Sequence, residues 1–485
     1  MGDAHTIGRL LRHRARTTPT RVAIDSDGRE LTYGELDERS EALAAQFLER
    51  GLARGDRVAT LTANSPEHVI VFFACAKAGL TLLPLNWRLA AAELTYMLED
   101  AEPKLFLVAP EHEAAAAATD REYEHLADAS GARHQTWPVE TAVSDDDPLL
   151  LVYTSGTTGR PKGALLTQAN CFWTNLSFDL VAGVGGEDVV LQVLPQYHVG
   201  GWNVQAVLGW WKGARVILER AFDPGRCLRL IEEKRVTTMM GVPAIYLFIA
   251  QDPAFEDADL SSLHSAVVGG APMPETLLET WHRRGVAVIQ GYGLTEAAPN
   301  VLCLPPEDAL RKLGCAGKPY AFVDVDLSDE HELLVRGPNV FASYWRNEEA
   351  TRAAFTDDGW LRTGDIAERD DKGFYRIRGR LKDMYISGGE NVYPAEVENV
   401  LTEHAAIMDA AVVGVPDEQW GEAGVAFVVA GADVSEDELI AHCRARLAKF
   451  KVPRAVRFVD ELPRSAMNKV LKEELVASLT QEVRA

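Results

Sequence analysis

Short apolar runs alternate with helical sequence through most of the chain before residue 320. The runs include DRVATLTAN, PKLFLVAP, LLLVYTSG, EDVVLQVLP, ARVILE, TTMMGVP, SAVVGG and VAVIQGYG. Each run has the length of one strand, and such continuous apolar runs are typical of strands that helices cover on both faces of a sheet. The alternation predicts a large α/β body.

Several helix boundaries follow from capping residues. In LTYGELDERSEALAAQFLERG, Thr32 and Glu35 have the spacing of a capping box, and Gly51 is placed to end the helix. Pro394 suits the first turn of a later helix, because the N–H that proline lacks has no intrahelical partner there. Residues 69–85 form an apolar run that a lysine and a proline interrupt, which predicts a buried helix followed by a strand.

The sequence changes character after residue 320. VDVDLSDEHELLVRGP and GFYRIRGR predict short strands separated by turns, and so a small β-barrel-like unit. A compact α+β unit follows. We expect a domain boundary near Gly379, with a large N-terminal domain of two helix-flanked sheets plus the β unit at residues 1–379 and a small, mobile α+β domain at residues 380–485.

Composition and charge exclude some classes of function. The 485 residues are 47% apolar and carry a formal net charge of -23, which argues against a nucleic-acid partner because phosphate backbones bind dense positive surfaces. The six cysteines include no CxxC pair, so we expect neither a disulfide framework nor a zinc site. No apolar signal sequence follows the basic stretch RLLRHRAR. These features predict a cytoplasmic protein without a transmembrane segment.

One loop combines hydroxyls, glycines and cations. It lies in YTSGTTGRPKGALLT and does not match a Walker A loop, because Pro161, Lys162 and Gly163 stand at the decisive positions. The loop follows a predicted strand and offers an anion its hydroxyls and backbone N–H groups, with Lys162 as a mobile charge. The residues concerned are Thr154, Ser155, Gly156, Thr157, Thr158 and Gly159. From the loop alone, a phosphate site and a flexible polar turn are equally good interpretations.

Further motifs favour the phosphate site. YTSGTTGRPKG, GYGLTE, RTGD, GRLKDMYISGGENVYPAEVE and PRSAMNKVLK stand in the order found in acyl-adenylate-forming enzymes. The chain resembles this superfamily, which comprises acyl-CoA synthetases, the adenylation domains of nonribosomal peptide synthetases and firefly luciferases, over nearly its whole length. Within it, GGAPMPE and GENVYPAE are most similar to bacterial fatty-acyl-CoA synthetases.

The resemblance implies a first half reaction in which a carboxylate attacks the α-phosphorus of ATP and pyrophosphate leaves. Glu296 would bind Mg²⁺ and Thr295 the α-phosphate, while the loop would hold the β- and γ-phosphates. Asp365 would accept hydrogen bonds from the ribose, and Arg380 would support the nucleotide. Without the motifs, each of these charges would be read as solvated surface. The resemblance also implies an adenine slot formed by Gly270, Ala271, Pro272, Gly291, Tyr292 and Gly293.

Lys469 is implied to bridge the attacking carboxylate and the α-phosphate. Asn468 departs from the family pattern, because many members carry glycine before this lysine. In the second half reaction a thiol displaces AMP, and the resemblance implies that the C-terminal domain turns about a hinge at Lys382. CoA would then meet Gly388, Gly389, Lys449, Lys451 and Arg454, although a short basic cluster can also be plain surface.

The segment LPQYHVGGWNV bears on which acid is activated. Peptide-synthetase adenylation domains place an aspartate here for the substrate ammonium, whereas this chain has His198, so an amino acid would bury an unpaired charge. Gly200 and Gly201 would leave room for a chain. Trp202 and Gly269 would line the pocket, although tryptophans more often belong to the core.

An unsubstituted fatty acid is the first candidate substrate and an aryl acid the second. CoA is the expected acceptor, with a carrier protein as the alternative. A luciferase-like oxygenase shares the adenylation half reaction, and a non-catalytic nucleotide-binding regulator would not need both Glu296 and Lys469.

Overall fold

The computed structural model describes residues 5–130, 143–154, 160–417, 420–464 and 470–482. The helices of these parts are α1 (Ile7–Thr17), α2 (Tyr33–Glu49), α3 (Pro66–Ala78), α4 (Ala91–Ala101), α5 (Glu113–Ala117), α6 (Leu126–Ser130), α7 (Gln168–Ala182), α8 (Gly200–Asn203), α9 (Ala206–Lys212), α10 (Pro224–Glu233), α11 (Pro243–Gln251), α12 (Glu275–Arg283), α13 (Glu348–Ala353), α14 (Pro394–Thr402), α15 (Glu436–Arg444) and α16 (Lys472–Glu482). Short 3₁₀ turns lie at Pro110–His112, Thr295–Ala297, Pro306–Asp308, Leu381–Asp383 and Lys449–Lys451.

The strands follow the same chain order. They are β1 (Val22–Ser26), β2 (Arg29–Thr32), β3 (Arg57–Leu61), β4 (Thr81–Leu85), β5 (Leu105–Val108), β6 (Glu124–His125), β7 (Pro148–Thr154), β8 (Lys162–Thr167), β9 (Val189–Gln192), β10 (Arg215–Leu218), β11 (Thr238–Gly241), β12 (Ser265–Val268), β13 (Val288–Gly293), β14 (Asn300–Cys303), β15 (Lys318–Pro319), β16 (Asp324–Leu327), β17 (Glu332–Arg336), β18 (Ser343–Tyr344), β19 (Leu361–Arg369), β20 (Tyr375–Arg380), β21 (Tyr385–Ser387), β22 (Glu390–Val392), β23 (Ile407–Asp417), β24 (Gly421–Ala430) and β25 (Ala455–Phe458).

Contacts divide the chain into two compact units. The first comprises Met1–Met273, Leu277–Val325 and Val335–Leu361, and the second comprises Pro274–Thr276, Asp326–Leu334 and Arg362–Ala485. The second unit begins earlier in the chain than the domain boundary predicted near Gly379, because a four-stranded sheet groups with the C-terminal residues. The boundary and the mobility of the C-terminal domain stay predictions.

The first unit contains two large sheets. One has nine strands in the order β15-β14-β13-β12-β11-β9-β10-β1-β2, and its inner strands from β13 to β1 are parallel. The other has seven strands in the order β18-β8-β7-β4-β3-β5-β6, with β7, β4, β3 and β5 parallel. Helices connect the parallel strands, as βαβ connections require. The two helix-flanked sheets of the prediction are therefore present.

Most residues of the two smaller sheets belong to the second unit. One has four strands in the order β16-β17-β19-β20, and it is the counterpart of the predicted barrel-like unit. The other has the order β22-β21-β24-β23, with β25 paired to β24, and α14 and α15 pack on it. Pro394 occupies the first turn of α14, as its sequence predicts.

The helix caps and helix boundaries predicted for the first unit are present in the structure. The Thr32 side chain accepts a hydrogen bond from the Glu35 N–H, and the Glu35 carboxylate accepts one from the Thr32 N–H at 2.9 Å. Gly51 takes a left-handed φ of 86° just after α2. Residues 69–85 divide between α3 and β4, and nearly every residue of α3 is buried. In the described parts of the chain, no helix is long and apolar enough to cross a membrane.

A buried ionic cluster connects α1, α2 and α3. The Lys77 side chain has no exposed surface, and its Nζ donates to Asp37 Oδ1 at 2.6 Å and to Ser40 Oγ at 2.9 Å. It also lies 3.2 Å from Glu41 Oε2, and Arg12 pairs with the same carboxylate at 2.9 Å. Burial lowers the pKa of Lys77, and the charges of Asp37 and Glu41 oppose that shift. The cluster therefore depends on keeping every partner.

We expect Lys77→Met to destabilise the first unit by about 3–5 kcal/mol, because the change removes the buried cation that pairs with both Asp37 and Glu41. Urea unfolding followed by tryptophan fluorescence measures the loss. Lys104→Met is the matched control, since Lys104 is exposed and an exposed substitution of this kind costs less than about 0.5 kcal/mol. Equal midpoints for the two variants would show that the cluster contributes no stability.

Candidate active site

Four neighbouring parallel strands of the nine-stranded sheet end at one edge. These strands are β9, β11, β12 and β13, with Gly241 opposite Val268 and Val268 opposite Gln290 in the register. Ligands bind at the carboxyl ends of strands in open α/β sheets, because loops diverge there and leave a crevice. The predicted site segments follow three of these strands, so the fold brings them to the same edge.

The predicted adenine slot is assembled at this edge. Gly269 directly follows β12 and is buried, while Gly270, Ala271 and Pro272 are exposed beyond it. The other half, Gly291 to Gly293, forms the end of β13. A Cβ added to Gly269 would lie 3.3 Å from the Gly291 carbonyl oxygen and 3.0 Å from Met240 Cε. The two halves therefore touch, and glycine at 269 permits that approach.

Glu296 lies in a 3₁₀ turn directly after β13, and Thr295 opens the same turn. Glu296 Oε1 accepts a hydrogen bond from Tyr344 Oη at 2.8 Å, and Thr154 Oγ1 lies 3.4 Å from the same oxygen. Thr154 is the last residue of β7, in the seven-stranded sheet. The Glu296 carboxylate is thus the point where the edges of the two large sheets meet.

The flanks of the predicted phosphate loop are fixed on both sides. Ser155, Gly156, Thr157, Thr158 and Gly159 lie outside the described residues. Before the loop, Tyr153 Oη donates to Asp100 Oδ2 at 2.5 Å, and burial together with this carboxylate raises the pKa of Tyr153. After it, Tyr96 Oη donates to the Pro161 carbonyl at 3.2 Å. Lys162 Nζ lies 5.5 Å from the centroid of the Tyr344 ring, which places this cation near Glu296 without an ion pair to it.

Among the described residues, no group of three or more His, Cys, Asp or Glu side chains is arranged to hold a metal ion. Mg²⁺ is usually bound by one or two carboxylates together with substrate phosphates and waters. Within the described residues, both hydrogen bonds to the Glu296 carboxylate reach Oε1, which leaves Oε2 available as a ligand. This donor set fits Mg²⁺ delivered with a nucleotide.

The segment after β9 contains two adjacent glycines, Gly200 and Gly201, which differ in the space available to a side chain. His198 is partly buried, and its ring contacts Tyr197 at 4.6 Å between centroids. A Cβ added to Gly201 would overlap the Pro195 carbonyl group, so that position requires glycine for backbone packing. A Cβ at Gly200 would meet only ordinary contacts at 3.8 and 4.0 Å. Of the two, only Gly200 fits the expectation of free space.

Trp202 belongs to the buried core of the first unit. Its side chain is fully buried, its ring stacks on Phe72 at 4.4 Å with an interplanar angle of 13°, and its Nε1 donates to the Gln196 carbonyl at 2.6 Å. A ring with both its apolar surface and its N–H satisfied is a core residue. This placement favours the alternative interpretation of Trp202 as a core residue, and its role in lining an acyl pocket stays a prediction.

In the second unit, Asp365 and Arg380 face each other across adjacent strands. They are register partners in β19 and β20, and Arg380 Nε lies 2.7 Å from Asp365 Oδ1. The Asp365 side chain is 6% exposed, whereas Arg380 is 45% exposed. Lys382, the predicted hinge, lies in the exposed 3₁₀ turn that follows β20. Lys469 lies outside the described residues.

A tight turn between β21 and β22 contains the two glycines predicted to face the thiol acceptor. Gly388 and Gly389 have φ angles of 63° and 87°, which favour glycine. The Gly388 N–H donates to the Trp420 carbonyl at 2.8 Å, and a Cβ on Gly388 would lie 2.8 Å from the Trp420 ring. Lys449 Nζ lies 5.9 Å from the centroid of that ring. Sequence reasoning missed Trp420, because no motif marks it and only the turn geometry brings it to the glycines.

The other two cations of the predicted CoA cluster have carboxylate partners. Lys451 Nζ lies 2.7 Å from Glu396 Oε1, and Arg454 Nη1 lies 2.9 Å from Asp417 Oδ2. Such pairs reduce the charge that these side chains offer to a phosphate.

Tyr344 is a second residue that sequence reasoning missed, since its hydrogen bond to Glu296 spans 48 positions of sequence.

Comparison with known proteins identifies the family. Residues 11–345 match the AMP-binding enzyme family, and residues 396–469 match the AMP-binding enzyme C-terminal domain. The chain is 42% identical to feruloyl-CoA synthase of Amycolatopsis sp, over 95% of this chain and 96% of that protein. It is 40% identical to indoleacetate-CoA ligase of Aromatoleum aromaticum, over 94% and 95%. It is 38% identical to long-chain-fatty-acid-CoA ligase FadD13 of Mycobacterium tuberculosis, over 97% of each.

Solved structures agree with the predicted α/β fold. ATP-bound MatB from Rhodopseudomonas palustris has a TM-score of 0.89 and 33% identity, with 98% of each chain covered. O-succinylbenzoate coenzyme A synthetase from Bacillus subtilis, in complex with ATP and magnesium ion, has a TM-score of 0.89 and 32% identity, covering 96% of this chain and 98% of that one. AMP-binding enzymes use ATP, CoA, Mg²⁺ and a small acid. The chain therefore belongs to the AMP-binding enzyme family, as an adenylate-forming CoA ligase.

Proposed function

We propose that this enzyme activates a hydrophobic carboxylic acid, with an aryl-substituted acid as the leading substrate, and transfers the acyl group to CoA. The observation that carries the chemistry is the Glu296 carboxylate, which Tyr344 and Thr154 hold at the junction of two sheet edges with one oxygen left for Mg²⁺. Thr295 binds the α-phosphate beside it, and Lys162 with the 155–159 loop binds the outer phosphates.

The remaining roles in adenylation follow the motifs. Asp365 is a nearly buried carboxylate suited to accept hydrogen bonds from ribose hydroxyls, and its partner Arg380 orients it. Lys469 neutralises the developing charge between the acid and the α-phosphate. Preorganised charge of this kind supplies the largest single share of many rate enhancements, because it needs no rearrangement as the reaction proceeds.

The case for an aryl acid has three parts. Residues 193–204 contain no Asp or Glu, so this segment offers no partner for a substrate ammonium. The Tyr197 and His198 rings offer aromatic surface, with their planes tilted by 59°, and the Met240 methyl group at Gly269 can adjust to a ring. The relatives at 42% and 40% identity are named for feruloyl and indoleacetate substrates. A fatty acid is the second candidate, because the relative at 38% identity is named for long-chain fatty acids.

An acid panel tests the substrate class. We expect AMP release in the presence of CoA to show a kcat/KM at least about tenfold higher for ferulate and indoleacetate than for a long-chain fatty acid or phenylalanine, since one misfit group in an apolar pocket costs about 10- to 200-fold. Preference for the fatty acid would favour the second candidate. Preference for phenylalanine would contradict the pocket assignment, and faster turnover with a carrier protein than with CoA would contradict the acceptor.

Lys469→Ala tests the chemistry separately from substrate choice. Pyrophosphate exchange should fall about 10²- to 10³-fold, as expected when one preorganised group at developing charge is removed. Thioester formation from supplied acyl-AMP should stay within a few-fold of wild type. Equal losses in both half reactions would mean that Lys469 has no specific role in adenylation.

Gly200→Phe tests whether the acyl group of the substrate occupies the space beside His198. A Cβ at this position would meet only ordinary contacts with Leu194 and Val204, so we expect the variant to fold with a near-normal melting temperature. We expect kcat/KM for aryl acids to fall at least about tenfold while a short acid such as propionate is used no worse. Gly201→Ala is the contrasting variant, because its methyl group overlaps Pro195, so it should lower the melting temperature. Unchanged size selectivity in Gly200→Phe would place the pocket elsewhere.

We further propose that Trp420, Lys449 and the Gly388–Gly389 turn contact CoA. Trp420→Ala should raise the KM for CoA about three- to tenfold, which is the usual contribution of one aromatic contact, and should leave pyrophosphate exchange unchanged. Lys449→Ala should raise this KM more than Lys451→Ala, because Lys451 already pairs with Glu396. The reverse order for the two lysines would contradict the proposal.

A further inference from the structure

Residues 337–345 are here called the strap. One end of the strap is bonded to β8, which follows the predicted phosphate loop, and the other end to the turn that contains Glu296. At one end β18 pairs antiparallel with β8, with Tyr344 opposite Ala164, and the Trp345 N–H donates to the Gly163 carbonyl at 2.7 Å. This end is therefore fixed to the strand that follows the phosphate loop. The strap belongs to the edge of the seven-stranded sheet.

The other end of the strap is bonded to the turn that contains Glu296. The Phe341 N–H donates to the Glu296 carbonyl at 2.8 Å. Asn339 is fully buried, and its Nδ2 donates to the carbonyls of Ala297 at 2.9 Å and Asn300 at 2.8 Å. These bonds hold the backbone around Glu296 but do not determine where its carboxylate points.

Tyr344 is the strap side chain that determines the carboxylate position. Its Oη donates to Glu296 Oε1 at 2.8 Å, and its ring contacts Phe341 at 4.8 Å between centroids. The Lys162 ammonium lies 5.5 Å from the centroid of the same ring, a distance at which the ring face attracts a cation. One side chain therefore touches both the carboxylate and the phosphate-loop lysine.

The tyrosine hydroxyl can act only as a donor towards this carboxylate. A tyrosine hydroxyl donates its proton in a hydrogen bond, and a carboxylate oxygen accepts it. Carboxylate oxygens are also the ligands that Mg²⁺ prefers. Hydrogen bonds to metal-binding carboxylates orient them, and loss of such a partner typically weakens metal binding or activity by about 10- to 100-fold.

We propose that Tyr344 is a positioning residue for the adenylation step, which fixes Glu296 Oε1, directs Oε2 to Mg²⁺ and holds Lys162 over its ring. This inference rests on the proposed role of Glu296 as the Mg²⁺ ligand. Tyr344 itself touches no reacting atom. Its hydroxyl orients the carboxylate that binds the metal, and its ring holds the lysine that binds the outer phosphates.

Two substitutions separate these two roles. Tyr344→Phe removes the hydroxyl and keeps the ring, so the apparent KM for Mg²⁺ in pyrophosphate exchange should rise about 10- to 100-fold, with kcat at saturating Mg²⁺ within a few-fold of wild type. Mn²⁺ affinity in the presence of ATP, followed by EPR without turnover, should weaken to the same extent. Tyr344→Leu removes the ring as well and should also raise the KM for ATP.

Tyr33→Phe is the matched control. It likewise removes a buried tyrosine hydroxyl, which donates to the Ala214 carbonyl at 2.6 Å and not to a site carboxylate. The control should show normal Mg²⁺ dependence and a comparable loss in melting temperature. An equal shift of Mg²⁺ dependence in Tyr33→Phe and Tyr344→Phe would show that general destabilisation causes it, and would overturn the inference.

A double-mutant cycle with Glu296→Gln separates failure of this inference from failure of the proposed function. If Tyr344 acts through the carboxylate, adding Tyr344→Phe to Glu296→Gln should have little further effect on Mn²⁺ affinity. Additive effects, or normal Mg²⁺ dependence in Tyr344→Phe alone, would overturn the positioning role. Normal Mg²⁺ dependence in Glu296→Gln would instead contradict the metal assignment on which the proposed function depends.

Discussion

The hydrogen bonds to the Glu296 carboxylate join two sheets that share no strand. Thr154 ends a strand of the seven-stranded sheet, whereas Glu296 follows the end of a strand in the nine-stranded sheet. Parallel strands send all their carboxyl ends to one edge, so each sheet can offer only one edge to a ligand. Contact between these two edges brings Thr154, which precedes the proposed phosphate loop, to Glu296, the proposed Mg²⁺ ligand. The proposed chemistry of the first unit depends on that contact.

The sequence predicted those features that depend on neighbours in the chain. The capping box at Thr32 and Glu35, the start of a helix at Pro394 and the division of residues 69–85 into helix and strand all follow from local spacing, and the structure contains each of them. The motif order likewise indicated the family. Such predictions succeed because capping and proline geometry involve atoms within about one helical turn.

Predictions stayed incomplete where the deciding contact depends on the folded backbone and not on local spacing. Gly200 and Gly201 are adjacent and chemically identical, yet only Gly201 faces the Pro195 carbonyl, and sequence alone does not show this. Tryptophans more often belong to the core than to a pocket, but the sequence does not reveal the stack of Trp202 on Phe72, 130 positions away. Lys451 looked like a phosphate contact, but Glu396 lies 55 positions before it and pairs with it.

The choice of tyrosine beside Glu296 follows from competition between cations. An arginine or lysine at position 344 would also orient the carboxylate, but its charge would pair with Glu296 and oppose Mg²⁺ at the same oxygens. A neutral hydroxyl orients the carboxylate while leaving its full negative charge for the metal. The ring performs a second task, because it attracts Lys162 to its face and keeps that ammonium from forming an ion pair with Glu296. On the roles proposed for them, one aromatic residue thus keeps the metal ligand Glu296 and the phosphate-binding Lys162 close together without letting them neutralise each other.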